Sequence, residues 1–120
     1  MTLTLDITGS KNIDLNIPLP AKTKKKLEGQ DIPAPEAVTL HLEEASLSER
    51  KRYSQKEALA RAQANTEGFL AELIMLRAAE GTDERVVRAM VDDMTATAAA
   101  QITHACMHGE LPNAEGAKKP

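Results

Sequence analysis

"VTLHLEEASLSE", Val38 to Glu49, changes its hydrophobic period halfway along, and the change divides the chain. Val38, Leu40 and Leu42 alternate with Thr39, His41 and Glu43, which is the period of a strand with one covered face. From Ala45 the spacing becomes helical. "SLSE", Ser46 to Glu49, has capping-box spacing: the serine oxygen takes a free helical amide and the glutamate reaches back to the cap. A strand is therefore expected to end near residue 44 and a helix to begin at Ser46.

Upstream the period stays at two. Leu3, Leu5 and Ile7 alternate with Thr2, Thr4 and Asp6; after "TGSKN", Ile13, Leu15, Ile17 and Leu19 alternate with polar residues and Pro18. The pattern predicts a hairpin, extended by the 38–44 run into a small meander. Pro18 and Pro20 cannot donate to a ladder, so that strand ends before them or lies on an edge. Residues 20–36 contain "KTKKK", Lys22 to Lys26, and read as a mobile Lys/Pro-rich loop with a solvated charge run.

Downstream the period is helical. "ERKRYSQKEALARAQA" is rich in helix formers and mostly solvated, Tyr53 and Leu59 being its only large apolar residues. "NTEG", Asn65 to Gly68, is a cap between two helices or a weak spot in one. Phe69, Leu73 and Leu76, beside Leu70 and Ile74, form a broad apolar stripe expected to end at a Gly81 C-cap, and this is the best core helix. Thr82 or Asp83 caps a short helix that turns Val86, Val87 and Met90 inward. Asp92 or Asp93 is expected to cap the last helix. Its buried stripe is Met94, Ala98, Ile102 and Ala105, which lie within about 80° of one another at 100° per residue. The expected fold is mainly α: a bundle of three to four helices with a small N-terminal hairpin or meander. Residues 1–44 form the β-rich segment, 45–109 the helical domain, and 110–120 a flexible tail.

Bulk composition narrows the function classes. A chain of 120 residues fits one domain. Its hydrophobic share of 42% includes only 2% aromatics, and much of it is alanine, so the core should be thin and self-association is expected. A net charge of −3 opposes a general nucleic-acid binder, and the scarcity of aromatics removes stacking platforms for single strands. The N-terminus has no signal-peptide pattern, no apolar run reaches membrane-spanning length, and one cysteine allows no internal disulfide. These features point to a soluble, cytoplasmic protein with no nucleic-acid or membrane partner.

His104, Cys106 and His108 are ligand types, but on a helix Cys106 points roughly 160° away from both histidines, which leaves two ligands and no metal site. Cys106 reads as a small packed hydrophobe, and the histidines as C-terminal groups facing free carbonyls. Asp92 and Asp93 read as caps rather than a carboxylate pair. No phosphate loop, nucleotide fingerprint or nucleophile elbow is present, and the acidic start of "DERVVRAM" does not suit a DNA-recognition helix. No catalytic residue, cofactor or metal is expected. An interaction protein remains, with Phe69, Leu73, Leu76, Met90, Met94 and Ile102 as candidate interaction residues.

From Val38 to about Pro112 the order is a strand entering a helix, the aliphatic "FLAELIMLRAAEG", the short "TDERVVRAM" and the Asp-led "DDMTATAAAQI". This order and spacing resemble the small tail assembly chaperones of long-tailed phages. The resemblance implies a mainly helical, non-enzymatic, self-associating protein that binds the tape measure protein and helps recruit tail tube subunits. It also implies a minor longer product made by frameshifting near the C-terminus, for which Lys118 and Lys119 offer a possible adenine run. The competing class is a small acidic secretion-type or regulatory protein that masks one partner.

Overall fold

The computed structural model describes residues 2–5 and 12–109, and gives two strands and five helices among them: β1 (Asn12–Pro18), α1 (Ala21–Gly29), β2 (Ala37–Glu43), α2 (Leu47–Ala62), α3 (Thr66–Arg77), α4 (Glu84–Asp92) and α5 (Ala96–His108). The readings that concern Ile7 and the 110–120 tail, including Lys118 and Lys119, lie outside the described residues. No helix among those described is long and apolar enough to cross a membrane.

The strands pair antiparallel, with Ile13 opposite Leu42, Leu15 opposite Leu40 and Ile17 opposite Val38. That register stacks both apolar rows on one face. Val38, Leu40 and Leu42 are buried, whereas β1 covers its row only in part. The small N-terminal hairpin is present, but among the described residues it is built from other runs than expected: Thr2–Leu5 lie outside any strand, and β1 pairs with β2.

The connection expected to be a loop is the helix α1. "AKTKKKLEG" spaces Thr23 and Leu27 four apart, and both are buried while the lysines lie outward. A single i,i+4 pair on a strongly charged background is a weak periodic signal, and tertiary packing against α4 supplies what propensity does not. The helix closes with Asp31 in the left-handed region and the Ile32 amide bonded to the Leu27 carbonyl, a Schellman-type end.

Ser46 caps α2 and the capping box with Glu49 is complete, with bonds of 3.2 Å and 3.1 Å. "NTEG" is a cap between two helices: Asn65 accepts from the Gly68 amide, and α2 has already closed through Ala64 at φ +54°. The core helix α3 packs on α2, α4, α5 and β2. It stops at Arg77, four residues before Gly81. The reason is the sheet: Ala78 bridges to Leu40 and the Ala79 amide donates to the Thr39 carbonyl at 3.0 Å, which pulls the chain into extended geometry. Gly81, at φ +88°, then serves the turn Ala79–Thr82. Asp83 caps α4, and Val86, Val87 and Met90 are buried.

The last helix is capped by Thr95 rather than by Asp92 or Asp93. Asp93 closes α4 instead, with its carboxylate turned toward α1. Ile102, Ala105 and Cys106 form the buried face of α5, while Ala98 and Met94 are half-buried. Gly109 ends α5 in the left-handed conformation, φ +77°, pressed against the Glu43–Glu44 backbone.

Candidate functional site

A solvated helix that packs on an apolar one leaves a seam wherever its few apolar side chains fall. Leu59 and Ala60 of α2 face Phe69, Met75 and Leu76 of α3 across an open groove of about 630 Å³. Ala60 and Phe69 close its floor as core residues. Leu59 and Leu76, at 57% and 60% exposure, stand on its walls. Apolar side chains that large stay in water at a cost that a partner surface would remove, at about 25 cal/mol per Å² covered.

The rim carries both charge signs. Lys56 donates to Glu72 at 2.8 Å across the seam, and Arg88 donates to Glu84 at 3.4 Å along α4. Both pairs are exposed, so each adds little to the stability of the fold. A second, smaller groove of about 380 Å³ runs between α3 and α5, lined by Met94, Ala96, Ala99 and Ala100. There the alanines of α5 give a low, smooth wall.

The six residues singled out from sequence separate on this surface. Leu73, Met90 and Ile102 are buried core, and so is Phe69 apart from the edge it shows to the first groove. Leu76 is the exposed one. Met94 precedes α5 and lines the second groove. Sequence reasoning missed Leu59 and Met75. An isolated leucine on a charged helix was the available signal for Leu59; nothing distinguishes Met75 from the core positions beside it.

The histidine and cysteine cluster is dispersed. Cys106 is buried at 0% exposure, and desolvation pushes its thiol up to about 12. His104 and His108 stack with ring centroids 4.2 Å apart, and the Arg50 guanidinium bonds to Nδ1 of His108. His41 pairs with Asp14 at 2.8 Å on the exposed face of the sheet. Among the described residues no group of three or more His, Cys, Asp or Glu side chains is placed to hold a metal ion. Asp92 is exposed, whereas the Asp93 carboxylate takes Thr23 Oγ1 at 2.7 Å and Lys26 Nζ at 3.1 Å. That hydroxyl bond, with Lys26 and Lys22 nearby, holds Asp93 below the usual carboxylate range. The two aspartates therefore do not act as a pair.

Comparison of the chain with family models, with curated proteins and with solved structures gives no match.

Proposed function

We propose that the protein is a non-enzymatic phage tail assembly chaperone, which self-associates in the host cytoplasm, holds the tape measure protein and helps bring tail tube subunits to it. The observation that carries the reading is the groove lined by Leu59 of α2 and Met75 and Leu76 of α3, with Leu59 and Leu76 exposed. An amphipathic client helix docks into such a groove through apolar anchors at i, i+3 and i+4 spacing. Leucine and methionine walls adapt to successive, non-identical segments of one long client, and the mixed-charge rim favours no single sequence. Several copies on one client multiply weak contacts. The strand–helix–helix–helix–helix order over β2 to α5 is the order that underlies the resemblance.

The test is co-expression with a tape measure protein from the same genome, followed by capture and sedimentation. Wild type should co-purify with the client, and Leu59→Asp/Leu76→Asp should release it while keeping the helical circular dichroism. Equal capture of both proteins would overturn the groove as the client site, and no capture of any tape measure or tube protein by wild type would overturn the function.

A further inference from the structure

The chain leaves the edge of β2 at Ala79. The Ala79 amide donates to the Thr39 carbonyl at 3.0 Å, but the Ala79 carbonyl takes the Thr82 amide at 3.2 Å and the Thr82 hydroxyl at 2.6 Å, so the turn through Gly81 departs from the sheet instead of running on beside it. Bonding alternates along an antiparallel ladder. The Leu19 amide donates to the Glu36 carbonyl, and on that alternation Val38 and Leu40 bond toward β1, while Ala37 and Thr39 turn their backbone groups to the other edge. There the Thr39 carbonyl is taken by Ala79. The Ala37 amide and carbonyl have no backbone partner among the described residues.

A groove of about 530 Å³ opens beside Ala37, lined by Pro33, Pro35 and Val38 from the run into β2 and by Glu80 and Val86 from the turn and α4. That volume lies in the range of ligand clefts. Val38 and Val86 are buried and make its apolar floor. Its two acids differ. Asp83 accepts from the Arg85 amide and pairs with the Arg85 guanidinium at 2.8 Å, whereas Glu80 is exposed and has no ion-pair partner among the described residues.

We infer that this groove takes a short extended segment of a partner protein, which adds to the edge of β2 at Ala37 and sets a lysine or arginine on Glu80. The edge decides the backbone of the occupant. Ala37 offers one donor and one acceptor, and an extended segment has both complements free where a helix has spent them internally. Side chains alternate along such a segment, so the residue opposite Ala37 keeps its side chain on the Thr39 side of the sheet and its two neighbours point to the Val38 side. Branched apolar residues suit those two places, against Val38, Val86 and the prolines. The unpaired Glu80 decides the charge. Strand addition here and helix docking at Leu59 and Leu76 are different modes on different surfaces, so neither reading rests on the other.

An acetylated, amidated peptide, Lys-Val-Thr-Val-Lys, titrated into the full chain and followed by amide resonances and hydrogen exchange, tests the inference. In the free protein the Ala37 amide should exchange quickly while the Val38 amide, bonded to β1, is protected. The peptide should shift Ala37, Val38 and Gly81 saturably and slow exchange at Ala37. The same peptide N-methylated at its threonine keeps every side chain, loses the bond to Ala37 and should not bind. Glu-Val-Thr-Val-Glu should bind a few-fold more weakly, and Glu80→Lys, an exposed change that keeps the fold, should reverse that order. An Ala37 amide already protected in the free protein would mean that the chain fills its own edge. That result, absence of saturable binding, equal binding of the N-methylated peptide, or a charge preference unmoved by Glu80→Lys would each overturn the inference.

Discussion

The hydroxyl of Thr23 donates a 2.7 Å hydrogen bond to Oδ2 of Asp93, joining α1 to the end of α4 across 70 residues. Thr23 is fully buried and the Asp93 side chain is only 5% exposed. Lys26 bonds to the other carboxylate oxygen at 3.1 Å, so a helix read as a loop is pinned to the helical body by a charged group read as a cap.

Thr23→Val should therefore destabilise the fold by about 1.5–3 kcal/mol, the usual worth of a hydrogen bond to a charged acceptor. Asp93 is depressed below its ordinary 3.8, first by that hydroxyl. A depressed carboxylate contributes stability that is present above the unfolded value and is lost as pH falls through the folded one. The gap between wild type and variant in urea denaturation should be largest at neutral pH and narrow below about pH 3.8.

Two left-handed positions should respond in opposite directions. Ala64 adopts φ +54° at the end of α2, where glycine carries no steric cost, so Ala64→Gly should raise stability by up to about 1 kcal/mol. Gly109→Ala should destabilise: besides φ +77°, a Cβ there would sit 2.6 Å from the Glu44 amide nitrogen and 2.8 Å from the Glu43 carbonyl carbon. Thermal melts of the two variants check both signs.

Leu73 and Leu76 lie three apart on α3, one at 3% exposure and one at 60%. Leu73→Asp should unfold the domain, since an unpaired carboxylate in the core costs several kcal/mol against a total stability of about 5–15. Leu76→Asp should melt within about 0.5 kcal/mol of wild type. Circular dichroism at rising temperature separates them, and equal melting would mean that α3 faces the other way.

Cys106 should stay silent toward thiol reagents in the native protein and react fully in denaturant, because the thiolate is the nucleophile and burial holds the folded group near 12. The unfolded chain loses that proton from about pH 9, so stability should decline as pH rises from 9 toward 12. Rapid native labelling at pH 8 would contradict the burial.

Local chemistry was enough for part of this fold. The switch of period at residues 38–49 fixed the end of β2 and the start of α2, because a capping box is made by residues three apart and depends on nothing distant. Asn65 and Asp83 as caps, the inward turn of Val86, Val87 and Met90, and the burial of Cys106 follow from the same short-range rules. Tertiary structure decided the rest. Which run pairs with β1 depends on competition between strands, and Leu40 with its neighbours won over the nearer Leu3 and Leu5. Residues 21–29 are helical because Thr23 and Leu27 have α4 to pack on, α3 stops at Arg77 because Ala78 reaches Leu40, and Asp93 ends one helix because α1 brings Thr23 and Lys26 to it. The stripe on α3 shows equally why the groove was not legible. Leu73 and Leu76 have the same chemistry, and only the placement of α2, α4 and α5 around α3 covers one and leaves the other in water.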